Sequence, residues 1–168
     1  MITVLNVESE MFSPLVNSVL RELKERRKTL ATAESCTGGL VSALLTHVPG
    51  SSVVFQGGII AYANEAKINL LGVPSDVIQR AGAVSREVAE AMALGARRVL
   101  TVDYAIAITG VAGPDGGTPT KPVGTVWTAL AAARGVAAEL LQLGGGRAAI
   151  RAAAARFVLE NLLKAVQA

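Results

Sequence analysis

Ser35, Cys36 and Lys67 are the residues of this chain with the plainest capacity for covalent and proton-transfer chemistry. Ser35 lies in Glu34-Ser35-Cys36-Thr37-Gly38-Gly39, between a short apolar run (residues 29–34) and a helical pattern. A hydroxyl there has two readings. It is an N-cap, a position where Ser, Thr and Gly are common. Alternatively it is a nucleophile, with backbone N–H groups at the helix start forming an oxyanion hole. A serine nucleophile needs a base. The one histidine, His47, sits at the far end of the same helical segment, about 15–18 Å away at the helical rise. A Ser-His-Asp triad is therefore set aside, which leaves lysine. Lys24, Lys28 and Lys164 sit on amphipathic patterns and read as solvated, whereas Lys67 and Lys121 lie in polar site segments. Lys67 is either a surface cation or, if partly buried, a base whose lowered pKa lets it accept a proton near neutrality. Cys36 is intrinsically the better nucleophile, or else a small buried residue. If the helix begins at residue 36 or 37, Ser35 and Cys36 point in different directions and only one faces a cleft.

The elements that must position these groups are legible from periodicity. Ser13-Pro14 is expected to open a helix, with Val16, Val19, Leu20 and Leu23 as its apolar stripe. Strands are expected at 29–34, at 53–62 with a glycine irregularity, and at Tyr104–Ile108. Helices are expected from Gly38 to His47, from an Asn64 cap through Leu71, from Ser85 to about Val99, and from about Arg147 to the end. Val123–Ala133 and Val136–Leu143 read as a hairpin turning at Arg134-Gly135. The pattern predicts a single layered α/β domain, with a mixed, mostly parallel sheet flanked by helices and a C-terminal hairpin plus helix. Residues 1–12 are expected to be a tail or an edge strand, and 13–168 the domain.

Three polar segments each follow a predicted strand: 34–39, Tyr62 to Lys67, and the loop from Thr109 to Gly124. If those strands run parallel, all three emerge at the carboxyl edge of the sheet, where open α/β sheets bind ligands. The substrate-binding candidates are therefore Glu34, Thr37, Gly38, Gly39, Asn64, Thr109, Gly110, Gly113, Gly116, Gly117 and Lys121. The Thr109–Gly124 loop has neither a Gly-Lys-Ser/Thr nor a Gly-x-Gly-x-x-Gly signature. It is a surface loop or a backbone nest for an anion. Arg147 and Arg151 lie one turn apart near the start of the last helix; they are solvated arginines or partners of a phosphate.

Composition narrows the classes. The 168 residues are 51% apolar and 17% charged, enough for one buried core and too apolar for a disordered chain. One cysteine and one histidine exclude an intramolecular disulfide and metal sites built on several thiolates or imidazoles. A net charge of +3, without a basic stripe interleaved with aromatics, does not indicate nucleic acid. No apolar run approaches the roughly 18 residues that would indicate a membrane span. The start lacks a basic export region, so a cytoplasmic, membrane-free protein is expected.

Five motifs, in order and spacing, resemble the carboxy-terminal domain of CinA, the competence/damage-inducible family. They are Ala33-Glu34-Ser35-Cys36-Thr37-Gly38-Gly39, Pro49-Gly50-Ser51-Ser52, Tyr62-Ala63-Asn64-Glu65-Ala66-Lys67, Gly82-Ala83-Val84-Ser85, and Thr109 to Thr118 with Lys121-Pro122-Val123-Gly124-Thr125. The resemblance covers roughly residues 13 to 166. It implies hydrolysis of the carboxamide of nicotinamide mononucleotide to nicotinic acid mononucleotide and ammonia, without metal or cofactor, in pyridine nucleotide recycling. It implies a Ser/Lys pair at Ser35 and Lys67, accompanied by Tyr62. One departure is clear: the family's usual Gly-Asp-Arg before the last helix reads Gly145-Gly146-Arg147 here. Full-length members carry a further amino-terminal domain, for which this chain is too short. The alternative function is a non-catalytic nucleotide-binding or regulatory module in competence or DNA-damage responses. A homo-oligomer is expected from the edge the hairpin offers.

Overall fold

The computed structural model describes the backbone of residues 4–168 and side chains from residue 11 onward. In chain order the elements are α1 (Val4–Glu25), β1 (Leu30–Glu34), α2 (Leu40–Thr46), β2 (Phe55–Ile60), α3 (Asn64–Leu71) and α4 (Ser75–Ala81). They continue with α5 (Arg86–Val99), β3 (Tyr104–Gly110), β4 (Thr125–Ala132), β5 (Gly135–Gln142) and α6 (Arg147–Gln167).

The strands form one mixed sheet in the order β2-β1-β3-β4-β5. β1 pairs in parallel with both β2 and β3, while β3–β4 and β4–β5 are antiparallel. Pairings therefore divide evenly, although β5 runs in the direction of β1, β2 and β3. Alternation along β3 sorts residues by size. Ile106 and Ile108 face α1, α2 and α6, whereas Ala105 and Ala107 face the layer of α3, α4 and α5. A strand coated with methyl groups lets a helix approach closely, and α5 meets it with Ala89, Ala93 and Ala96. Both sheet faces are covered, which is why the central strands read as continuous apolar runs.

The amino-terminal expectation is corrected. Residues 4–12 belong to α1 rather than to a tail or edge strand, and residues 1–3 lie outside the described residues. Ser13-Pro14 does not open the helix but lies inside it. Phe12 is fully buried one turn before Val16, and this extends the apolar stripe backward. Pro14 sits on the exposed side, where the carbonyl it leaves unbonded can be hydrated. The sequence reading also missed α4, whose seven residues are too few to establish a period. The hairpin turns at Ala133-Arg134, one residue earlier than expected, because Gly135 already pairs with Ala132.

Two of these features build a crevice. β1, β2 and β3 run parallel, with Glu34 in register with both Ile60 and Ile108, so the segments following them emerge level at one edge. The helix after β1 then packs on one face and the helix after β2 on the other. Where adjacent connections part in this way, an open α/β sheet leaves a ligand-sized gap.

Candidate active site

At the end of β1 the chain turns sharply, and Glu34 holds the turn. Its carboxylate is fully buried and accepts four bonds. Oε2 takes the N–H groups of Gly39 (3.0 Å) and Val41 (3.1 Å). Oε1 takes the Ser42 N–H (2.8 Å) and hydroxyl (2.7 Å). A carboxylate thereby satisfies the first amides of α2, which Gly39, in the left-handed conformation, cannot cap with a side chain. Glu34 is thus a brace behind the site rather than part of its wall.

Ser35 follows, nearly buried, with its N–H donating to the Ile108 carbonyl at 2.9 Å. Lys67 reaches it from the first turn of α3. Helical side chains lean toward the N-terminus of their helix, and this lean carries the Lys67 amino group back over the end of β2. Nζ lies 3.1 Å from Ser35 Oγ, 3.0 Å from the Ala61 carbonyl and 3.2 Å from the Tyr62 carbonyl. Carbonyls only accept, so two N–H bonds go to them. A neutral amine then has its lone pair left for the serine hydroxyl proton, the arrangement a general base requires. Lys67 is 1% exposed. Burial holds its pKa below the ordinary 10.5, with only a small opposing effect from Cys36. Neither Glu34, turned toward α2, nor Glu65, exposed on α3, counteracts this.

Cys36 is buried in the core beside α2, and desolvation pushes its thiol up to about 11. It is a poor thiolate beside a well-placed hydroxyl. The helix begins only at Leu40, so the condition under which the two side chains were expected to diverge is not met, and both residues line the cleft.

The cleft over this pair has a volume of about 200 Å³. Its walls hold Ser35, Cys36, Tyr62, Asn64, Lys67, Thr109, Gly110 and Arg147 from the expected set. Larger hollows beside the far half of α6 contain no comparable chemistry. Asn64 occupies the first turn of α3 but does not cap it; Ala63 holds the cap position. Arg147 donates to the Tyr62 hydroxyl at 3.1 Å and to the Gly113 carbonyl at 2.9 Å, forming a cationic rim. Gly146 in place of the usual acidic residue leaves α6 without a side-chain cap.

Other expected binding residues stand behind the wall. Gly38 N–H is engaged by the Ser35 carbonyl and Gly39 N–H by Glu34. Thr37 is fully buried, and its carbonyl accepts from Arg151 at 2.6 Å. Gly116 and Gly117 lie on the exposed part of the loop. There Gly117 leaves room for the Val123 backbone, at 2.9 Å from where a Cβ would sit. Lys121 Nζ donates to the Ala81 carbonyl at 2.7 Å. The sequence reading missed Ala83, Val84 and Ala112, which complete the wall. Thr109 Oγ1, donating to the Ala83 carbonyl at 2.8 Å, and Lys121 together hold that segment in place. The available signal was the Gly82-Ala83-Val84-Ser85 motif. Among the described residues no group of three or more His, Cys, Asp or Glu is placed to hold a metal ion, and no helix is long and apolar enough to cross a membrane.

Residues 12–166 match the CinA C-terminal domain family. A CinA-like protein of Gemmatimonas aurantiaca is 52% identical over 147 residues, which are 88% of this chain and 34% of the relative. One from Synechocystis is 53% identical over 148 residues, 86% of this chain and 36% of the relative. The chain thus spans about a third of the length of these relatives. The crystal structure of a competence/damage inducible protein from Agrobacterium tumefaciens superposes with a TM-score of 0.89 at 40% identity, covering 92% of this chain and 94% of that one. A CinA superfamily protein from Klebsiella pneumoniae gives 0.88 at 34% identity, covering 92% and 96%.

Proposed function

Because the chain belongs to the CinA C-terminal domain family, and because a buried lysine abuts a serine hydroxyl in its cleft, we propose that it hydrolyses the carboxamide of nicotinamide mononucleotide. The observation that carries this reading is the 3.1 Å contact between Lys67 Nζ and Ser35 Oγ, with both remaining lysine contacts made to carbonyls.

Neutral Lys67 takes the Ser35 proton as Oγ attacks the carboxamide carbon. The oxyanion meets the N–H groups of Cys36 and Thr37, which bond to no backbone carbonyl among the described residues. Of the amides at the start of the turn, those of Gly38 and Gly39 are already engaged. Lys67 then returns the proton to the departing nitrogen, ammonia leaves, and a water activated by the same amine hydrolyses the acyl-serine. The Arg147–Tyr62 rim and Asn64 face the remainder of the nucleotide. The free edge of β5 supports self-association as part of this proposal.

The test is ammonia release from nicotinamide mononucleotide. Ser35→Ala should abolish it while leaving the protein folded, since the change removes one buried hydrogen bond to Lys67 at a cost of about 1–3 kcal/mol. Cys36→Ala should retain substantial turnover. A folded, inactive Cys36→Ala beside an active Ser35→Ala would exchange the two roles. Binding of the mononucleotide without ammonia release would favour the non-catalytic module.

A further inference from the structure

The Ser35 turn is tied to α6 by a contact that neither substrate binding nor proton transfer requires. Arg151, in the second turn of α6, does not line the cleft. Its guanidinium Nη2 donates to the Thr37 carbonyl at 2.6 Å. The same peptide unit ends in the Gly38 N–H, which donates to the Ser35 carbonyl at 3.0 Å. That next unit ends in the Cys36 N–H, which adjoins the nucleophile and bonds to no other backbone group among the described residues. A charge and two peptide planes therefore stand in series, with the free end at the cleft.

Each link in this series has two effects. Together with the Leu40 N–H, from which the Thr37 carbonyl also accepts at 3.2 Å, the first link restricts the rotation of the next peptide plane, so the direction of the Cys36 N–H is coupled to α6. It also polarises that plane, because a donor on a carbonyl strengthens the N–H of the same peptide, and such effects pass along hydrogen-bonded chains. The guanidinium charge makes the first link stronger than a neutral donor would. Thr37 is 0% exposed, so the bond is shielded from water, where charge acts over longer range. Gly38 holds φ +60°, a conformation that favours glycine, whereas a Cβ there would make only an ordinary 3.7 Å contact with Nη2.

We propose that Arg151 is a positioning residue for the oxyanion site, acting through the Thr37–Gly38 and Ser35–Cys36 peptides rather than by contacting substrate. This rests on the amidase reading and adds the group that sets its oxyanion donors. Such a residue stabilises the tetrahedral state without contributing to ground-state affinity.

The experiment compares wild type with Arg151→Met and Arg151→Lys by kcat, by KM, and by affinity for nicotinic acid mononucleotide. It also measures affinity for pyridine-3-boronic acid, which forms a tetrahedral adduct on a serine oxygen. Removing an oxyanion donor outright costs about 10²–10³-fold, so weakening one should lower kcat by about tenfold. Boronate affinity should fall in parallel, with KM and product affinity within about twofold and partial recovery in Arg151→Lys. An unchanged kcat, or a raised KM at constant kcat, would overturn the proposal; the second result would make Arg151 a substrate contact. Should Arg151→Met fail to fold, Arg151→Gln replaces it, because it keeps a donor without the charge. Its kcat and boronate affinity should both fall several-fold, and wild-type values would again overturn the proposal. If wild type releases no ammonia, the amidase reading fails separately, and the boronate series still reports on Arg151.

Discussion

Lys67 is fully buried and bonded only to neutral oxygens at its head, and from this follows the sharpest test at the residue scale. As a base it must be deprotonated, so turnover should rise with pH through an ionisation below the ordinary lysine value of 10.5. Lys67→Arg keeps a positive charge but cannot release a proton in this range. It should be nearly inactive, and its residual rate should lack that ionisation. Brisk turnover by Lys67→Arg would reduce Lys67 to a source of charge. The same burial has a stability consequence of definite sign. The folded pKa lies below the unfolded one, so the unfolded chain binds more protons between the two values, and this group's contribution to stability rises with pH across that window.

At the scale of elements, the position of Lys67 depends on how α3 sits against α5. Gly95 is the contact point: a Cβ there would fall on the carbonyl oxygen of Leu71, the last residue of α3. Alanine offers about 1 kcal/mol of helix propensity over glycine. Overpacking against a backbone atom costs about 1–3 kcal/mol and has no rotamer escape. Gly95→Ala should therefore lower Tm and, by moving α3, reduce ammonia release even well below the melt. A variant with higher Tm and full activity would show that the two helices can separate without disturbing the pair. The 34–39 turn is held differently, by the Glu34 carboxylate from below and the Arg151 guanidinium from α6. Its geometry is thus set by two charges and not by local backbone preference alone.

For the whole molecule, the edge of the sheet opposite the cleft carries a polar fastening. Asp103 accepts from Lys28 Nζ and from the Thr29 N–H and hydroxyl, joining the chain entering β1 to the chain entering β3. Partial burial pushes the Asp103 carboxyl up, but the bonds from Lys28 and Thr29 outweigh this and hold it below the ordinary 3.8. A carboxyl with a depressed folded pKa contributes stability that is present above its unfolded value and lost as pH falls through the folded one. Asp103→Asn should cost about 1 kcal/mol at neutral pH, a small figure because the pair is partly exposed. The deficit should close as wild type is titrated below pH 4, read by urea unfolding at a series of pH values. A deficit that stays constant with pH would assign the loss to packing instead of charge.

The helices from Ser85 to about Val99 and from about Arg147, the hairpin and the elimination of histidine were all determined by the sequence, because each depends on residues close to one another along the chain. The candidacy of Ser35 and Lys67 was also legible, from residue types and from motif spacing. Local rules failed where a distant partner intervened. The burial of Phe12 draws residues 4–12 into α1 across a proline, and α4 is too short to show a period. Tertiary structure alone decided which residues meet. Ser35 and Lys67 are 32 residues apart, and only the parallel register of β1 with β2 makes their segments level. Thr37 and Arg151 are 114 residues apart, and only the packing of α6 on the sheet brings a surface-like arginine onto the Ser35 turn. Glu34 likewise has a carboxylate's chemistry in the sequence, but which amides it faces is set by the fold, since hydrogen-bond partners depend on distance and direction in space.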